Sequence, residues 1–193
     1  LTAFADNVRP YIDDLLDANQ FLGEIDFIRS KALLGNHLHS IKPVIINKPF
    51  ISWKRAIHPL LSLTFEKLAG RKVVPLEIVL DDKERILLIS GPNAGGKSVC
   101  LKTVGLLQYM LQCGLTIPVS EGSETGIFKN ILIDIGDEQS IDNDLSTYSS
   151  HLINMKYFVK NGTDKTLILI DEFGTGTEPM LGGSIAEAIL GEL

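Results

Sequence analysis

Residues Gly91-Pro92-Asn93-Ala94-Gly95-Gly96-Lys97-Ser98 spell G-x-x-x-x-G-K-S. The octet stands between an apolar run at 85–90 and a helical pattern that starts near Lys97. That placement leaves few folds open. Glycines let successive backbone N–H groups turn inward around an anion, and a helix start adds its positive dipole end. Lys97 can reach the outer phosphates of a nucleotide, and the Ser98 hydroxyl can ligate Mg²⁺. The competing account is a Gly-rich strand-to-helix turn with a chance lysine. The strand-like run before the octet and the helix after it weigh against that account, so the sequence predicts a site for ATP or GTP with Mg²⁺.

A second element supports this expectation. Thr166-Leu167-Ile168-Leu169-Ile170 reads as a buried strand and ends in Asp171-Glu172. Acids at the C-terminal end of a buried parallel strand lie at the ligand edge of an open α/β sheet. From there Asp171 can hold Mg²⁺, and Glu172 can act as general base for an attacking water. The alternative is two acids that merely end a strand in solvent.

The 193 residues suffice for one ordinary domain with an appendage. A net charge of −6 argues against a sequence-blind DNA clamp built from this stretch alone, since such surfaces need excess Lys and Arg. The two cysteines, Cys100 and Cys113, form neither a disulfide framework nor a zinc pattern and suit a reducing cytoplasm. No apolar run approaches the ~20 residues that span a bilayer, and there is no signal-peptide pattern. The chain starts at Leu1 and stops within a helical pattern at 182–193, so a piece of a longer protein is expected.

Along the chain, apolar residues from Pro10 to about Ser40 recur at helical spacing, with Gly23 weakening the middle and Pro43 as the stop. Strand-like runs follow at 44–46, 50–53, 73–80 and 85–90. A helix is expected from Lys97 to about Gln112 with Gly114 as its stop. Residues 131–134 read as a strand, 149–160 as a helix ended by Asn161-Gly162, and 166–170 as the acidic-ended strand. Strands alternating with helices of this length predict an α/β fold with a mostly parallel sheet. Trp53 and Phe50 read as core, and His58 as structural. His151 reads as a surface or capping histidine, with contact to a nucleotide as the alternative.

Taken together, these stretches resemble the ATPase domain of the MutS family of DNA mismatch-repair proteins. Gly91–Ser98 matches that family's G-P-N-x-G-G-K-[ST], Ser146-Thr147-Tyr148 its S-T-[FY], and residues 171–177 its D-E-x-G-x-G-T. Ile117-Pro118-Val119, His58-Pro59 and Glu24-Ile25-Asp26 fall where the family carries similar segments. Within the family the likeness is to the second bacterial paralogue group. It rests on Asp134–Ile141 (D-I-G-D-E-Q-S-I), Leu145–His151 (L-S-T-Y-S-S-H) and Gly174–Pro179.

The resemblance implies a phosphate-loop ATPase of the ABC type, preceded by a helical lever. Residues 1–42 would be the end of the lever. Residues 43–193 would be the ATPase domain, stopping before its C-terminal strand and helices. It implies ATP and Mg²⁺ as ligands, head-to-tail homodimerisation, and Ser146, Thr147 and Ser149 facing the neighbour's γ-phosphate. As residues alone, Ser146 and Thr147 read rather as caps of the helix that follows, and it is the resemblance that turns the reading toward the neighbour's phosphate. Asn93 would donate to the γ-phosphate or the dimer partner, or simply form the turn. The family also carries a histidine near the γ-phosphate beyond the point where this chain ends, so weak hydrolysis by this stretch alone is expected. The second paralogue group is associated with branched DNA, recombination control and stalled ribosomes, which makes DNA the expected partner and the ribosome a further one. Two alternatives stand beside it. One is an ABC-type ATPase of another DNA-maintenance class, although Leu145–Ser149 departs from L-S-G-G-Q. The other is a nucleotide-binding interface module without turnover.

Overall fold

The computed structural model describes residues 2–68, 72–91, 95–135, 147–171 and 178–193. The chain opens with a short helix α1 (Thr2–Val8), a 3-10 turn at Arg9–Tyr11 and the long helix α2 (Ile12–His37). Gly23 does not interrupt α2, because one glycine costs only about 1 kcal/mol against so many helix-forming neighbours. The helix stops at His37, before Pro43. Its end is closed by the Leu38 N–H on the Leu34 carbonyl and by His39 at φ 49°. Gly35, near this end, is buried against Thr116.

Strands β1 (Val44–Ile46), β2 (Ile51–Ala56), β3 (Leu76–Leu80) and β4 (Glu124–Gly126) form one sheet in the order β1-β4-β2-β3. Ile51, Trp53 and Ala56 of β2 face the core. The spacing slips from two to three because a bulge inserts one residue between Trp53 and Ala56, with Arg55 at φ 51°. β5 (Asn130–Asp134) and β6 (Thr166–Ile170) form a separate parallel pair joined through helix α5 (Thr147–Asn161). Helix α3 (Pro59–Glu66) follows β2, and α6 (Pro179–Glu192) ends the chain.

The expected mostly parallel sheet is not what forms. β1 and β4 are parallel, but β2 runs antiparallel to both β3 and β4, so the sheet is mixed. The reason lies in connection length. Only four residues, 47–50, link β1 to β2. A parallel crossover needs about a dozen, so the chain must reverse. Among the described residues, strand–helix–strand alternation produces a parallel pair at β5–α5–β6. The run at 85–90 is not a strand either. Ile86, Leu87 and Leu88 are exposed, and the segment follows a turn in which Asp81 Oδ1 accepts the N–H groups of Lys83 and Glu84.

Helix α4 (Lys97–Gln112) is the spine of the core. Val104, Leu107, Met110 and Leu111 pack with Ile51, Trp53, Ile78, Leu167 and Leu169. Gly105 allows α4 to lie close to β6, since a Cβ there would stand 2.8 Å from Leu169 Cδ1. On the other side, fully buried Gln108 donates to the Gly126 carbonyl at 2.9 Å and accepts from Thr125 Oγ1 at 3.1 Å. Buried polar atoms must be paired, so this bond set fixes the helix against β4. Gly114, at φ 75°, then turns the chain at the helix end.

His58 caps α3, its Nδ1 accepting the Leu61 N–H at 3.3 Å. Desolvation is the main cause that lowers its pKa, and nearby Lys102 adds to it, against a raising backbone hydrogen bond. Between the lowered value and the ordinary 6.5 the unfolded chain takes up a proton that the folded chain refuses. The contribution is therefore complete above that ordinary value and is lost as pH falls through the window. Urea midpoints measured across this range should fall with pH, and less steeply in His58→Asn, which keeps a capping oxygen but cannot titrate.

Candidate nucleotide site

The octet bends through Gly91 at φ 146° and Gly96 at φ 82°. Both values lie where a side chain is strained, which is why glycine stands there. Gly96 precedes the first turn of α4 and its carbonyl accepts the Cys100 N–H at 2.9 Å. Lys97 reaches back across the bend, donating from Nζ to the Gly91 carbonyl at 2.6 Å. Ser98 follows on the same turn, half-buried. The helix start, an ammonium and a hydroxyl thus share one location, and each favours a phosphate or its counter-ion.

Opposite stands the end of β6. Asp171 is buried, and its N–H donates to the Asp134 carbonyl at 2.8 Å. Lys97, Ser98 and Asp171 line one cleft of about 1040 Å³, floored by Leu101 and Val104 of α4. Among the described residues, Gly91, Gly95, Gly96 and Ser149 do not line it. Ser149 lies in the first turn of α5, half-buried, and Thr147 is the first residue of that helix. Pro92, Asn93, Ala94, Ser146 and Glu172 lie outside the described residues.

The oxygen donors present suit Mg²⁺, a hard cation that takes one or two protein oxygens and completes its shell with phosphate and water. No cluster of three or more His, Cys, Asp or Glu side chains fit to hold a metal occurs among the described residues. Cys100 also lines the cleft. Burial raises its thiol pKa, so it stays protonated and unreactive.

Sequence reasoning missed one cluster. Asp134, the last residue of β5, is buried, and its Oδ2 lies 2.7 Å from His151 Nδ1. Its Oδ1 accepts from Asn154 Nδ2 at 2.9 Å. His151 is therefore neither a loose surface group nor a cap. A usable signal existed: residues three apart on a helix share a face.

The MutS domain V model matches residues 87–193. The chain therefore belongs to the MutS family. Its relatives within that family include proteins named Endonuclease MutS2. That of Carboxydothermus hydrogenoformans is 47% identical over 174 residues, covering 90% of this chain and 21% of the relative. That of Lachnospira eligens is 44% identical over 183 residues, covering 95% and 22%. That of a Geobacillus species is 42% identical over all 193 residues and 24% of the relative. The chain spans less than a quarter of the length of these relatives. No helix among the described residues is long and apolar enough to cross a membrane.

Proposed function

We propose that the cleft binds Mg²⁺–ATP and that the chain is the ATP-hydrolysing domain of a MutS-family DNA repair and recombination protein. The observation that carries the reading is that Lys97, Ser98 and Asp171 line the same cleft. Backbone amides of the 91–96 loop, Pro92 excepted because it has no N–H, meet the phosphates at the rim of the cleft, and Lys97 leaves the Gly91 carbonyl to meet the outer ones. Ser98 and Asp171 hold Mg²⁺, which neutralises charge on the phosphates when bound. Glu172 takes the proton of the attacking water, and Asn93 donates toward the γ-phosphate.

In a homodimer formed through these domains, Ser146, Thr147 and Ser149 at the start of α5 face the neighbour's γ-phosphate. The helix α2 acts as the lever that carries closure to DNA. The ribosome is a second partner of the same device, and the cytoplasm is its place. The family match over 87–193 supports this reading. The endonuclease in the relatives' names is not assigned to any residue of this chain.

Mg²⁺-dependent phosphate release, stopped by EDTA, tests the reaction. Lys97→Ala tests the site. It removes a charged hydrogen-bond donor and should weaken binding of a fluorescent ATP analogue by about 10- to 100-fold, the 1.5–3 kcal/mol of such a bond. Unchanged binding overturns the assignment.

A further inference from the structure

Asp134 is held in two ways. Its backbone carbonyl receives the Asp171 N–H, and its carboxylate receives His151 and Asn154 of α5. A single residue at the end of β5 therefore joins the carboxylate end of β6 to the first two turns of α5. The joint is shielded from water: the side chain of Asp134 is 7% exposed and that of His151 is 18% exposed. In such surroundings hydrogen bonds to a carboxylate are strong and leave little play. α5 touches β5 along this face.

We propose that His151 and Asn154 are positioning residues for ATP turnover. They clasp Asp134 and so fix the start of α5, with Thr147 and Ser149, at a set distance from Asp171. This rests on the nucleotide-site reading above and deepens it. Asp171 belongs to the nucleotide held by its own chain, whereas the start of α5 serves the nucleotide of the second copy. The clasp is then the rigid connection between the two sites of a dimer. Neither residue lines the nucleotide cleft, so loosening the clasp misplaces groups needed at the transition state and leaves ground-state binding alone.

The test uses the complete gene product in four forms: unaltered, His151→Ala, His151→Asn and Asn154→Ala. His151→Asn is informative because an Asn amide nitrogen occupies nearly the position of the imidazole Nδ1 and can donate to the same carboxylate oxygen. Expected are a kcat at least tenfold lower in His151→Ala, with KM and ATP-analogue affinity unchanged, and recovery of most of the loss in His151→Asn. Asn154→Ala should show the same split to a smaller degree, and it covers the case in which His151→Ala does not fold. A kcat unchanged in His151→Ala and Asn154→Ala overturns the proposal. So does a loss that follows melting temperature and is not recovered by His151→Asn. Lys97→Ala run in parallel separates the two readings: unaltered ATP binding there sinks the nucleotide site itself, whereas weakened binding with no effect at His151 sinks only the clasp.

Discussion

A Glu172→Gln protein is expected to bind Mg²⁺–ATP with unchanged affinity and to hydrolyse it about 10²–10⁴-fold more slowly, the range lost with a general base. The five residues of β6 bury Leu167 and Leu169 in the core, which anchors the strand, and the Asp171 N–H is held by Asp134 at its end. Glu172 is the next residue along the chain. A carboxylate there can accept a proton from water lined up on the γ-phosphate. Glutamine has the same shape and still donates and accepts hydrogen bonds, but it cannot take the proton. In the proposed site binding rests on Lys97, the backbone amides and the Mg²⁺ ligands, none of which changes. Phosphate release and titration with a fluorescent ATP analogue read the two quantities separately. Turnover equal to that of the unaltered chain removes Glu172 from the role of base.

How much of this was legible beforehand differs from element to element. Helix α4 was, start and end, because its apolar spacing, the Gly96–Lys97 start and the Gly114 stop are local signals. The same holds for β6, an unbroken apolar run ending in an acid. Strand direction was not legible. Alternation with period two records which face is buried and says nothing about the neighbour, so only the four-residue link at 47–50 carried the antiparallel outcome. β4 is Glu124-Thr125-Gly126, without one large apolar residue, and it is held by the buried bonds to Gln108 rather than by a pattern. Of the site, Lys97, Ser98 and Asp171 could be named from residue type and spacing. Of the Asp134 cluster, only the shared face of His151 and Asn154 was legible; their partner Asp134 lies 17 and 20 residues away on another element.

The second large effect is on stability and comes from β4. Gly126 pairs with Ile46, donates its N–H to the Phe50 carbonyl at 2.6 Å, and accepts from buried Gln108 at 2.9 Å. A Cβ at this position would overlap the Lys48 carbonyl oxygen and stand 2.8 Å from Phe50 N. Those are backbone atoms, so no rotamer change relieves the clash; the 47–50 turn itself must move. Pro49 stiffens that turn. Moving it breaks the reversal that sets β2 against β4, and with it the seat of Ile51. Gly126→Ala is therefore expected to cost about 3 kcal/mol, the upper end for overpacking, and to lower Tm by about 6–12 °C for a chain of this size. The same substitution at Gly23 in α2 should do the opposite. A Cβ there meets nothing within 4 Å. Alanine in a helix interior is favoured over glycine by about 0.5–1 kcal/mol. Calorimetry on the two variants gives shifts of opposite sign if the turn lies against β4. A Gly126→Ala chain that melts with the unaltered one would mean that the turn does not lie there.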